Sequence, residues 1–325
     1  MLPLILDTDP GIDDAMAIAY ACAHPELELL GLTTVFGNVS VSRATRNALA
    51  VLGNFGHSEV PVAQGASVPL VQKPLPHPDF VHGDDGMGNI DLEDGKVAAI
   101  AQNAAEFIVE QSLARAGELS LVAVGPLTNI ALALRLDPEL PSRIKQLVVM
   151  GGTLDEPGNV SPVAEANFLG DPHAADEVFS VDWPATIVGL DVTHKVLLFD
   201  SELAHLSRNS KIYGDLLYRS SRFYVNFYST TGAAKGMPEP GCAMHDATAM
   251  VYLLRPELFT TLSGPVRVAT DGAAAGQLIM KRREAPYLLN HWDELPAASA
   301  CMGVNADSVK ADFFDTLTSP TGTHR

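Results

Sequence analysis

From its first residues the chain alternates short apolar runs with amphipathic stretches, and this alternation limits what it can fold into. Leu2–Leu6, Leu27–Val35, Val60–Ala63, Leu119–Val124, Gln146–Met150 and Ala185–Leu190 are strand candidates. Between them fall helix candidates at Asp13–His24, which Pro25 stops, and at Val41–Phe55, Ala98–Ala116, Leu127–Leu136 and Pro172–Phe179. Continuously apolar strands are buried on both faces, and parallel neighbours need crossover helices. The expected class is therefore α/β, with a mostly parallel central sheet covered by helices on both faces in a Rossmann-like arrangement. Asp200–Leu254 turns mainly helical, and Val266–Tyr287 carries strand-like runs again. Neither a linker nor a repeat divides the 325 residues, so one domain is expected, with a frayed tail at Thr318–Arg325.

Two segments break the alternation. Ala66–Gly95 is rich in Pro, Gly and acid, with six carboxylates and no basic residue between Lys73 and Lys96. Thr153–Gly170 also lacks a period. Both follow strands, where open α/β sheets place their ligands, so they are read as walls of a site.

The acidic bias extends to the whole chain, with 39 Asp and Glu against 21 Lys and Arg and a formal charge of −18. Such a surface repels a phosphodiester backbone, which argues against nucleic acid as a partner. Three scattered cysteines, Cys22, Cys242 and Cys301, form no zinc pattern and fit a reducing compartment. The apolar run before Asp7 is too short for a signal peptide, and no run approaches a membrane span, so a cytoplasmic, membrane-free protein is expected.

Residues 7–14, DTDPGIDD, concentrate four carboxylates between the first strand and the first helix. Period-two alternation would project Asp7 and Asp9 from one face, and Asp13 and Asp14 fall in the first helical turn. Either of the latter alone would serve as a cap or dipole partner. Four together must take up protons, stay hydrated or hold a cation, and all-oxygen donors suit Ca²⁺ or Mg²⁺. An EF-hand is excluded, because its fifth and twelfth positions would be Gly11 and Ile18.

Further motifs follow in order: VFGN ending at Asn38, GPLTN at 125–129, GNVSPVAEANFLGDPHAA at 158–175 and MHDA at 244–247. Together with DTDPGIDDA they resemble the inosine-uridine preferring nucleoside hydrolase family over nearly the whole chain. That resemblance implies the nucleoside hydrolase fold, a bound Ca²⁺ and hydrolysis of the N-glycosidic bond of ribonucleosides by a metal-bound water, through an oxocarbenium-like transition state. It makes Asp9, Asp14 and Asp246 calcium ligands, joined by the main-chain carbonyl of Thr128, with Asp9 also the general base. Asp13 matches the aspartate on the ribose hydroxyls, and Asn159, Glu165 and Asn167 match residues gripping the 5′ and 3′ sides of the sugar. Asn38 matches the asparagine near the attacking water. His82 and His245 match histidines of the leaving-base pocket, with His245 the candidate acid. Tyr224 and Tyr228 lie four apart on one helical face, and the resemblance places one or both beside the base, with at least one expected in the core. Family members are homotetramers or homodimers, which the resemblance extends to this chain, with nucleoside salvage as the role.

Neither Trp183 nor Trp292 aligns with the stacking tryptophans of the purine-specific branch, and His245 stands where that branch has Trp. The resemblance therefore points to the non-purine-specific, His-containing branch and leaves uridine, cytidine and inosine open. Ala247-Thr248 follows the His-Asp pair, where the family usually has Pro or another small residue first, and no ligand is lost. Two other readings are weighed. A calcium-dependent nucleoside or ribose binding protein would keep Asp14, Asn167 and Asp246 but dispense with Asp9 or His245, and both are present. LILDTD also resembles the nucleophile segment of haloacid-dehalogenase-type phosphatases, with Asp7 as nucleophile, but Gly11 stands where that pattern wants Thr or Val.

Overall fold

The computed structural model describes residues 1–283, 287–288 and 290–319. The first half runs β1 (Leu2–Thr8), α1 (Ile12–Ala23), β2 (Leu27–Thr34), α2 (Val41–Phe55), β3 (Val62–Gln64), α3 (Asp79–His82), α4 (Ala104–Ala114), β4 (Ser120–Ala123), α5 (Thr128–Leu136), α6 (Leu140–Arg143) and β5 (Gln146–Met150). Then come α7 (Ala166–Gly170), α8 (Pro172–Phe179), β6 (Ala185–Val188), α9 (Leu190–Thr193), β7 (Leu197–Phe199), α10 (Asp200–Asn209), α11 (Gly214–Thr230), β8 (Gly241–Ala243) and α12 (His245–Leu254). The chain closes with β9 (Phe259–Val268), β10 (Leu278–Met280), β11 (Ala297–Val304) and α13 (Ala306–Thr318).

Nine strands form one sheet in the order β10-β9-β11-β6-β5-β4-β1-β2-β3. From β3 to β11 the neighbours are parallel, while β9 pairs antiparallel with β11 and with β10. The chain builds outward from β1 to β3, returns to lay β4 against the other side of β1, and continues to β5 and β6. That reversal is a topological switch point, and it opens a crevice at the carboxyl ends of β1 and β4. Leu4, Leu6, Val122 and Val148 face one core with α1, α11 and α12, while Ile5, Leu121 and Leu147 face the other with α4, α5 and α8. Burial on both faces is why β1 lacks polar alternation.

Local chemistry sets the helix ends. Ser40 accepts from the Arg43 N–H to start α2, and Gly56, left-handed at φ 80°, ends it. The fourth helix starts at Ala104, not Ala98, because Asn103 and Glu106 form a capping box. The third strand sits at Val62–Gln64, two residues beyond where its apolar run begins, and Leu190 belongs to α9 rather than to β6. In the predicted strand-like region, β9 begins at Phe259, earlier than Val266. Part of Arg283–Tyr287 lies outside the described residues. Thr318 ends α13, and the rest of the expected frayed tail, from 320 onward, also lies outside them. Among the described residues no helix is long and apolar enough to cross a membrane.

Gly31 on β2 shows how tightly the sheet packs on α4. A Cβ there would lie 2.7 Å from the Phe107 ring and 3.1 Å from the Pro61 carbonyl oxygen. Gly31→Ala is expected to cost about 1–3 kcal/mol in urea unfolding through overpacking. Phe107→Leu in the same chain should recover part of that loss, and additive costs would refute the contact.

Candidate active site

Every expected site residue except Thr128 gathers at or beside the crevice. Asp9 lies just past the end of β1, where the backbone leaves the sheet, and it is 1% exposed. One of its oxygens, Oδ2, accepts from the Asn38 N–H at 2.6 Å. The glycines of VFGN and GPLTN leave room for this carboxylate: a Cβ on Gly37 would fall 2.0 Å from Oδ2, and one on Gly125 would fall 2.7 Å from Oδ1. Asp14 lies behind it, fully buried. Its Oδ1 accepts from the Thr8 hydroxyl at 2.5 Å and the Asp9 N–H at 3.2 Å, and its Oδ2 from the Gly11 N–H at 2.8 Å and the Asn38 side-chain amide at 3.1 Å. Asp246 enters from the first turn of α12, and one carboxylate oxygen each of Asp13, Asp14 and Asp246 lie within 4.8 Å of one another.

The loop from 153 to 170 makes one wall. Glu165 caps α7 and accepts from the N–H groups of Gly152 at 2.9 Å, Asn167 at 2.9 Å and Phe168 at 3.2 Å. Asn167 donates to the carbonyls of Val124 at 2.8 Å and Met150 at 3.1 Å, and Asn159 accepts from the Ala166 N–H at 3.0 Å. The opposite wall is aromatic. Tyr224 donates to Asp13 Oδ2 at 2.9 Å and its ring lies 5.3 Å from that of His82, whose Nδ1 accepts from the Ile12 N–H at 3.3 Å. Tyr228 contacts His245 Nε2 at 2.6 Å, and Thr193 holds His245 Nδ1 at 2.7 Å. Phe80, Val81 and Phe227 complete the cleft lining.

Burial dominates the electrostatics. It lifts Asp9 and Asp246 well above the usual carboxylate range, with like charges adding to the effect, and it lifts Asp14 for the same two reasons. Asp13 is pushed up to about 6 and Glu165 to about 7, in both cases mainly by burial. The same desolvation lowers His82 to about 4 and holds His245 well below the ordinary histidine value, so both imidazoles are neutral near pH 7. Buried Tyr224 and Tyr228 are raised and stay protonated. The 3.9 Å approach of His82 to Asp13 is accordingly not an ion pair. Asp9 Oδ1 and Asp13 Oδ1 are buried with no hydrogen-bond partner. Unpartnered buried carboxylate oxygens beside a carboxylate trio are the donor set of a hard cation, so the residues fit a metal.

Residues 4–311 match the model of the inosine-uridine preferring nucleoside hydrolases. The chain belongs to that family. It is 39% identical over 318 residues to a probable uridine nucleosidase of Oryza sativa subsp. japonica, covering 98% of this chain and 97% of the relative. A non-specific ribonucleoside hydrolase of Klebsiella pneumoniae is 44% identical over 271 residues, 83% of this chain and 85% of that protein. Among solved structures, a plant nucleoside hydrolase superposes with TM-score 0.93 at 34% identity, over 98% of this chain and 99% of that one. A purine-preferring ribonucleoside hydrolase from Gardnerella vaginalis gives 0.89 at 36% identity, over 97% and 98%. This nucleoside hydrolase is thus an N-glycosyl hydrolase of ribonucleosides on a single α/β domain.

Two expectations for the hydrolase change. Thr128 opens α5, so its carbonyl points along the helix away from the crevice, and its hydroxyl donates instead to Asp171 at 2.8 Å. At this strand end it is Val124 that lines the cleft, and its carbonyl accepts from the Asn167 side chain at 2.8 Å. Tyr224 and Tyr228 both belong to the buried core, as expected of at least one of them, and both also line the cleft. Asp7 turns away from Asp9, because Thr8 is the last residue of the strand and the extended alternation stops there. Its Oδ1 accepts from the Thr33 hydroxyl at 2.5 Å and the Asn129 amide at 2.7 Å, and it does not line the cleft. A phosphatase nucleophile at Asp7 would be sealed from substrate. Sequence reasoning missed Val124, Thr193 and Asn129; of these only Asn129 sat in a recognised string.

Burial raises Asp7 to about 7. Because its folded value exceeds the unfolded one, its contribution to stability is complete below about pH 4 and is lost as pH rises through about 7. Asp7→Asn should therefore gain stability over the wild type between pH 5 and pH 8, by a few kcal/mol at most. Urea unfolding at both pH values measures this, and a pH-independent difference would refute it.

Proposed function

We propose that this hydrolase cleaves ribonucleosides of broad base identity, uridine included, to free base and ribose in a Ca²⁺-dependent reaction. The observation that carries the reading is the convergence of Asp9, Asp13, Asp14, Glu165 and Asp246 at the switch point, in a cleft whose described lining contains no Lys or Arg. Breaking a ribosyl C–N bond builds positive charge on the sugar, and fixed negative charge stabilises that state more than the neutral substrate. A cleft without cations is a poor seat for phosphate, which favours water as the acceptor over a phosphorolytic route.

Asp9, Asp14 and Asp246, with the Val124 carbonyl, would hold the cation, and Asp13 stands close enough to them to hold ribose hydroxyls at the same place. When bound, the ion orients water and sugar hydroxyls and offsets the clustered charge. Asp9 takes the proton from the attacking water, since its Oδ1 is unpartnered while Asn38 holds Oδ2 in place. Asn159, Glu165 and Asn167 orient the sugar, with Glu165 fixed by three backbone donors.

On the base side, the Thr193 hydroxyl donates to Nδ1 of neutral His245, whose Nε2–H donates to the Tyr228 oxygen and leaves the Tyr228 O–H free to point at the base. The Tyr228–His245 pair thereby presents a hydrogen bond to the departing base, with His82 beside it. Trp183 is buried, its Nε1 bonded to the Val178 carbonyl, and does not line the cleft. The absence of a stacking indole on the described wall supports a broad or pyrimidine-accepting pocket.

Reducing-sugar release from uridine, cytidine, inosine and adenosine tests the reading directly: turnover should vanish with a chelator and return with Ca²⁺. Asp9→Ala should lower kcat by at least about a thousandfold. Tight ribose binding without turnover by the wild type would establish a binding protein instead. His245→Ala should reduce kcat on uridine about a hundredfold or more, yet spare p-nitrophenyl riboside, whose leaving group needs no proton. Equal losses on both would remove His245 from leaving-group chemistry.

A further inference from the structure

Helix α9 is only four residues long, yet it touches both sides of the cleft. Asp191, 5% exposed, turns both carboxylate oxygens onto the stem of the loop that carries Asn159, Glu165 and Asn167. Its Oδ1 accepts from the N–H groups of Asp155 at 2.7 Å and Glu156 at 3.1 Å, and its Oδ2 accepts from that of Leu154 at 2.8 Å. The Thr153 hydroxyl donates to the Glu156 carbonyl at 2.6 Å and closes the same turn. Leu190 N–H donates to the Gly152 carbonyl at 3.0 Å, and His194 Nδ1 approaches Glu156 at 3.5 Å. Two residues beyond Asp191, Thr193 holds His245 Nδ1, and the His194 ring lies 5.5 Å from the His245 ring.

These contacts do more than cap a turn. The far end of the loop is tied down independently, by Asn167 on the Val124 and Met150 carbonyls and by Glu165 on the Gly152 N–H. Asn159 sits between the two ends, three residues past Glu156 and with its Oδ1 accepting from the Ala166 N–H at 3.0 Å, so its place relative to the sugar needs the near stem and the far end in register. The atoms that fix that stem come from the helix that also orients the leaving-group histidine.

We propose that Asp191 is a positioning residue, which through α9 holds the ribose-side loop in register with the Thr193-oriented His245. The inference rests on the reading of the cleft given above. Losing one or two of three charge-assisted hydrogen bonds at the edge of the domain should loosen this turn and misplace Asn159 rather than unfold the domain.

Four proteins test this: wild type, Asp191→Asn, Thr193→Val and Thr193→Ser, each assayed on uridine, 5′-deoxyuridine and p-nitrophenyl riboside. Asp191→Asn should lower kcat/KM for uridine about tenfold or more but hardly change 5′-deoxyuridine, so that discrimination for the 5′-hydroxyl collapses. Thr193→Val should lower kcat for uridine and spare p-nitrophenyl riboside, with Thr193→Ser restoring the wild-type ratio. Amide hydrogen exchange gives a readout that needs no activity: protection at 154–156 should fall in Asp191→Asn while that of β4 and β5 is kept. Equal losses on all substrates, or retained protection at 154–156, would overturn the proposal. If the wild type turned over no nucleoside, the proposed function would fail and the exchange result alone would decide Asp191. Should Asp191→Asn not fold, Thr153→Val loosens the same turn and must give the same substrate-selective pattern.

Discussion

Five carboxylates buried where a parallel sheet reverses direction are the constraint on which the rest of this hydrolase depends. Desolvation pushes each of them toward protonation, and neighbouring negative charges add to it at Asp9, Asp14, Glu165 and Asp246. The fold offsets part of this with donors placed at fixed atoms: the Thr8 hydroxyl, the Gly11 N–H and the Asn38 amide on Asp14, the Tyr224 hydroxyl on Asp13, three N–H groups on Glu165. What remains, notably the unpartnered oxygens of Asp9 and Asp13, is the unmet demand that a dication and a sugar turning cationic would fill. Stability and function therefore pull against each other at one place, and a cation is the simplest means of reconciling them.

The loops around that cluster are held by polar side chains that reach backbone groups far away in sequence. Asn129 accepts from the Ala66 N–H and donates to Asp7 and the Thr34 carbonyl, which pins the start of the acid-rich loop to the sheet. Asp171 accepts from the Leu70 N–H and the Thr128 hydroxyl while capping α8. Asp191 does the same for the second loop. Long irregular segments leave backbone donors without helix or sheet partners, and here carboxylates and amides behind the cleft satisfy them.

Much of the architecture was legible in the chain. Apolar runs buried on both faces and amphipathic periods place the strands and the longer helices through β6 to within a few residues, except for the start of α4, while the short helices α3, α6 and α7 carry too few turns to show a period. The antiparallel edge was read poorly: β9 begins with exposed Thr260 and Thr261, and its alternation is too weak to mark a strand before Val266. Of the expected site residues, those in distinctive motifs other than Thr128 lie together at the crevice. Thr128 was misassigned because GPLTN lies across a strand end and a helix start, and whether a carbonyl points into or out of a crevice depends on which side of that boundary it falls. Thr193 and Asp191 carried no signal, since a threonine and an aspartate in a short apolar segment look like ordinary turn residues.

By itself the sequence determined the layering, the family and the identity of the acidic groups, because hydrophobic period and ordered motifs are local properties of the chain. Only the tertiary structure decided which carboxylates share one site. Asp7 and Asp9 are two residues apart, yet one faces Thr33 and Asn129 behind the sheet while the other faces Asn38 and the crevice. Asp246, more than two hundred residues away, joins Asp13 and Asp14 within 4.8 Å. The strand order brings β1 beside β4 and packs α12 against α1, and that order follows from chain reversal and core packing across the whole domain.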